Sequence, residues 1–174
     1  MNELLLAKEA GFTNFCEVNT EALVAMPEVR DMCASGKCKI YGKRWACPPA
    51  CGTIEECAKR MRAYTAGILV QTTKEMKDDF DVETMISAQE EHKTNFLKLA
   101  AEIRKIHPEC LPLTAGTCTL CRKCTYPDEP CRRPDEMISS MEAYGLLVSD
   151  VCTKSGAKYN YGPKTMTYTS CILY

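Results

Sequence analysis

The chain has 174 residues, 45% of them hydrophobic, and a formal net charge of −1, which suits one domain with its own core and leaves no basic excess for a dedicated nucleic-acid binder. Cysteine is the outlier, with 13 residues. An odd count, a start (MNELLLAKEAGF) whose apolar run is too short for a secretory signal, and no run long enough for a membrane span argue against a disulfide scaffold and lead to the expectation of a cytoplasmic, metal-binding protein.

In chain order, residues 4–10 read as a short helix, with Asn2 as N-cap and Gly11 as its stop. A strand is expected within 12–18, and a second short helix opens at Pro27, a residue suited to a first helical turn. Residues 33–51 are loop-like, broken by Gly36, Gly42 and Pro48-Pro49. Thr53-Ile54-Glu55-Glu56 is a capping box that starts a helix running to about 63. Residues 67–73 form the clearest buried strand, and 84–107 the longest helix, ended by Pro108. A strand over 111–113 leads to a second cysteine segment. Beyond it the periodicity predicts a helix over 135–144 with Gly145 at C′, a strand over 146–151, and a last strand over 166–174 with Met166, Tyr168, Ile172 and Tyr174 on one side. These elements predict a single α+β domain, a mixed sheet with helices packed on it and two cysteine-rich loops.

The second cysteine segment carries the strongest chemical signal. Cys118, Cys121 and Cys124 stand at C-x2-C-x2-C, and Cys131 follows, with Pro134 just beyond. Two-residue gaps let successive thiolates reach neighbouring corners of one cubane, and ferredoxin-type [4Fe-4S] sites use such a triplet plus a fourth cysteine close to a proline. The spacing to Cys131 departs from the ferredoxin pattern, so the fourth ligand is less constrained than the first three. Zinc is the alternative, although it more often uses two separated C-x2-C pairs. Arg122, Lys123, Arg132 and Arg133 either offset an anionic cluster or form a solvated basic surface.

The first segment offers Cys33, Cys38, Cys47, Cys51 and Cys57 at wider intervals. It reads as a second cluster site in which Cys51 and Cys57 compete for the fourth place, one of them being a small buried hydrophobe. Trp45 and Pro48-Pro49 are expected to wall that site. Cys16, Cys110, Cys152 and Cys171 are isolated and read as core residues, and His92 and His107 as structural, with His107 facing the carbonyls at its helix end. No Ser–His–Asp arrangement, phosphate loop or dinucleotide fingerprint is present.

The stretch Tyr41-Gly42-Lys43-Arg44-Trp45-Ala46-Cys47-Pro48-Pro49, the Cys118–Cys121–Cys124 triplet, Cys131-Arg132-Arg133-Pro134 and Ser140-Met141-Glu142-Ala143-Tyr144-Gly145 together resemble the predicted metal-binding proteins of domain of unknown function 2284. The resemblance covers most of the chain. It implies a metal or iron–sulfur role in a prokaryotic, often anaerobic, setting and supplies no substrate.

Three functions compete on this reading. The first is an electron-transfer or accessory protein with two [4Fe-4S] clusters, serving a redox partner protein, without nucleic acid or membrane. The second is an enzyme using an open iron, with Glu142 and Tyr144 as nearby polar groups. The third is a zinc-stabilised binding module.

Overall fold

The computed structural model describes residues 3–174, so the predicted Asn2 cap lies outside the described residues. The chain builds a five-stranded mixed sheet in the order β1-β2-β5-β3-β4. The strands are β1 (Asn14–Glu17), β2 (Gly67–Glu75), β3 (Leu111–Thr114), β4 (Ser139–Ser140) and β5 (Thr165–Leu173). β2 lies antiparallel between β1 and β5, β5 is antiparallel to β3, and β3 pairs with β4 in parallel.

Helices cover both faces of this sheet, which explains the unbroken apolar run that opens β2. On one face, Ile68 and Val70 of β2 and Ile172 of β5 pack against α1 (Glu3–Glu9) and against Phe96, Leu99 and Ile103 of α4 (Val82–Ile106). On the other, Leu69, Cys171 and Leu173 meet Cys57 and Met61 of α3 (Ile54–Met61) and Val151 and Cys152 of α5 (Val148–Lys154). The two-residue period of the strands thus divides their side chains between two cores. Among the described residues, no helix is long and apolar enough to cross a membrane.

Local chemistry sets several boundaries. Thr53 Oγ1 accepts from the Glu56 amide at 3.2 Å, and the Thr53 amide donates to Glu56 Oε2 at 2.7 Å, closing the predicted capping box. Asp81 caps α4 by accepting from the Thr84 amide. α2 (Pro27–Ala34) begins at its proline as predicted.

Two predicted elements are not formed. Residues 135–144 make no α-helix: they contain β4 and a 3-10 turn at Glu142–Tyr144, closed by Gly145 at φ 77°. The spacing of Ile138, Met141 and Tyr144 fits one helical face, yet Ile138 packs on the α4 side of the sheet while Met141 and Tyr144 pack on the other. The chain crosses from one core to the other here, and backbone pairing of Ser139 and Ser140 with Leu113 and Thr114 replaces the helical bonds. Gly145 fits tightly, because a Cβ there would meet Ile54 Cδ1 at 2.5 Å and the backbone of Met26 near 3 Å. Residues 146–151 likewise form no strand. Val148, Val151 and Cys152 stand at i, i+3 and i+4, and α5 turns that stripe onto the sheet. A short apolar run fits either element by pattern alone.

Candidate metal centres

The second cysteine segment, residues 118–131, has neither helix nor strand, only turns and bends. It is tied down from outside. The Ala115 amide donates to Ser170 Oγ at 2.9 Å, anchoring the strand end that leads into it. Arg44 Nη1 donates to the Cys118 carbonyl at 2.6 Å, and Trp45 Nε1 to the Glu129 carbonyl at 3.0 Å. Trp45 also meets Tyr126 edge-on with ring centroids 4.9 Å apart. Arg132 and Arg133 bond inward to the carbonyls of Lys123 and Leu120.

So held, the loop closes round one hollow lined by the four predicted cysteines: Cys118, Cys121, Cys124 and Cys131. Trp45 and Met137 complete its apolar wall, with Arg132 and Arg133 at its edge. Arg122 and Lys123 are exposed and do not line it. The thiols surround a space rather than meeting at a point. Among the described residues, no three His, Cys, Asp or Glu side chains gather closely enough to hold a metal ion as they stand. A donor set of four thiols round an apolar hollow, with three loop carbonyls bonded to arginines, fits a thiolate-ligated cluster.

The five cysteines of the first segment come from several elements. Cys33 lies on α2, Cys57 on α3, and Cys38, Cys47 and Cys51 on the turns between them. Cys33 stands within electrostatic reach of Cys38 and Cys47, and Cys47 within reach of Cys51. Burial pushes the thiols of Cys33 and Cys47 up, and for Cys47 the Thr117 hydroxyl at 3.2 Å opposes this. Cys57 Sγ donates to the Cys51 carbonyl at 3.9 Å, and the interaction between the two neighbouring thiols raises Cys51 and, helped by Arg30 and Arg60, lowers Cys57. Arg30 reaches Cys51 Sγ at 3.7 Å and the Gly52 carbonyl at 2.7 Å. Cys57 is fully buried in the core with Met61 and Leu69.

Trp45 walls the second site, not the first as predicted, because its ring turns toward Tyr126 and Glu129. The contacts between segments carry no sequence signal: Arg44 to Cys118, and Cys47 to Thr117, span 74 and 70 residues. Met137 reads from sequence as a helix-face residue, and its place in the wall of the hollow depends on the chain's crossing near β4.

The remaining cysteines lie on the sheet or pack against it. Cys16, Leu69 and Cys171 stand in register across β1, β2 and β5, and Cys152 packs on the same face. Cys110 is partly buried against the opposite core. His92 bridges Thr72 Oγ1 at 2.9 Å and Ser170 Oγ at 2.7 Å, and burial lowers it to about 4. The His107 ring bonds the Glu3 carboxylate at 2.9 Å and stacks on Tyr174, rather than turning to helix-end carbonyls.

Fold and site define a cysteine-rich α+β protein with two neighbouring thiol groups beside a mixed sheet. The chain belongs to the DUF2284 family, described as predicted metal-binding proteins, which it matches over residues 16–174. No curated protein and no solved structure matches it.

Proposed function

We propose that the protein carries two [4Fe-4S] clusters and acts as an electron-transfer or accessory redox protein for a partner enzyme. The observation that carries this reading is the ring of Cys118, Cys121, Cys124 and Cys131 round a single hollow. When bound, such a cluster accepts and returns one electron at a potential set by burial, charge and hydrogen bonds.

The chain's own residues have definable tasks. Cys118, Cys121, Cys124 and Cys131 hold the second cluster. Arg44, Arg132 and Arg133 hold the loop's carbonyls and bring positive charge to an anionic site. Trp45 and Met137 keep water from the cavity. Cys33, Cys38, Cys47 and Cys51 hold the first cluster, a choice supported by their mutual neighbourhood. Cys57 touches this set through Cys51 alone and otherwise packs in the core, so it serves as the buried hydrophobe of the pair. The contact from Cys47 to Thr117, next to Cys118, makes the two sites neighbours, which suits passage of an electron from one to the other.

Anaerobic isolation followed by iron, acid-labile sulfide and zinc analysis tests the reading. Equal iron and sulfide, with a reversible one-electron signal in a paramagnetic resonance titration, is the expected result. Stoichiometric zinc without sulfide, in protein from iron-replete cells, overturns it in favour of the zinc-stabilised module.

A further inference from the structure

Beside Cys51 lies a pocket of about 210 Å³ that the electron-carrier reading does not use. It opens between α3, the end of α4 and the 3-10 turn before Gly145. Arg60, Arg104, Ser139 and Tyr144 face it, and Met137 is shared between its wall and that of the four-thiol hollow. It therefore lies next to both candidate centres.

Its polar groups are held in place yet not used up. Tyr144 is 4% exposed, and its hydroxyl accepts from Arg60 Nη1 at 3.1 Å. The hydroxyl's own proton has no acceptor among the described residues. Ser139 is 7% exposed, and its hydroxyl likewise makes no hydrogen bond there. Arg60 is fixed by a second bond, from Nη1 to the Cys51 carbonyl at 2.8 Å, which leaves its remaining N–H groups free. The Arg104 side chain is partly buried and makes no hydrogen bond or ion pair among the described residues. A nearly buried tyrosine hydroxyl with an unspent proton, in a pocket that two guanidinium groups also line, is a donor array waiting for an acceptor.

We propose that this pocket binds a small carboxylate-bearing molecule through Arg60, Arg104 and the Tyr144 hydroxyl. Guanidinium forks match the two oxygens of a carboxylate, and Tyr144 and Ser139 supply further donors. Glu109 and Asp135 also line the pocket and offset the two arginine charges, so the placement of the donors rather than net charge selects the ligand, and a dianion such as phosphate is opposed more strongly than a monoanion. The volume lies below that of drug-sized sites, so the ligand has few heavy atoms. Binding rests on this pocket alone. Only its position beside Cys51 links it to the cluster reading, so either can fail without the other.

Isothermal titration of the anaerobically isolated full chain with propionate, and separately with inorganic phosphate, tests the proposal. Propionate is expected to bind once per chain. Arg104→Gln and Tyr144→Phe should each weaken it roughly ten-fold or more, since a hydrogen bond to a charged group is worth about that much. Lys98→Gln, exposed elsewhere on α4, should leave it unchanged. Tyr144→Phe keeps the ring's packing, and matching thermal unfolding curves for the variants establish that they are folded. No saturable propionate binding, equal affinity in the wild type and both pocket variants, or phosphate binding in its place would overturn the proposal.

Discussion

The two cysteine segments solve one problem in opposite ways. The second draws its four thiols from 14 consecutive residues with no regular structure, and neighbouring parts of the protein brace it through backbone carbonyls. The first spreads five cysteines over two helices and the turns between them, so its geometry depends on how α2 and α3 dock. A site built on one loop owes its ligand set to local spacing. A site built across elements inherits its ligand set from packing, and some of its cysteines belong to the core.

The sharpest way to break this comparison is to remove one ligand from the compact site. Cys121→Ala should abolish the second site and about halve total iron in anaerobically isolated protein, leaving the first site's signal. Loss of all iron from a still-folded chain would mean that both segments share a single cluster.

In the dispersed site the paired substitutions Cys51→Ala and Cys57→Ala should differ. The first should remove that site's iron. The second should retain the iron and lower stability by about 1 kcal/mol, the scale of a small cavity in a packed core. Iron analysis and denaturant unfolding of both variants measure the contrast. The reverse outcome would make Cys57 the ligand and Cys51 a bystander.

A pH titration separates the segments by their supports. His92 is held neutral, with its folded value lowered from 6.5 to about 4. Above the unfolded value the group contributes no penalty. As pH falls from about 6.5 to about 4, the unfolded chain takes up a proton that the native state refuses, so stability declines, by about 3 kcal/mol in all. His92 holds Ser170, which holds the Ala115 amide at the approach to the second segment. Amide exchange at Ala115 should therefore rise before exchange at the capped start of α3. Equal rises at both would show that the second segment is not specially coupled to His92.

The most local effect is expected from Arg44→Ala. Losing its bond to the Cys118 carbonyl should cost about 1–3 kcal/mol locally and speed iron loss to a chelator from the second site more than from the first. Equal acceleration at both would show that Arg44 acts on the whole domain.

What could be read without the structure follows the range of the forces concerned. The capping box at Thr53, the buried β2 run, the long α4 and the cysteine triplet are written in neighbouring residues, because caps, strand periodicity and short ligand gaps act within a few positions. That level of description was enough for an α+β domain and for the four cysteines that the fold brings round one hollow. It failed where one spacing serves two geometries. Ile138, Met141 and Tyr144 look like a helix face until the sheet edge sends them to opposite cores. Residues 146–151 look like strand until α5 lays Val148, Val151 and Cys152 on the sheet. Tertiary structure alone brought Arg44 to Cys118, gave Trp45 to the second site, sank Cys57 into the core and opened a pocket beside Cys51. These contacts join residues far apart in the chain, and their energy exists only once two elements have docked, so no local pattern encodes them.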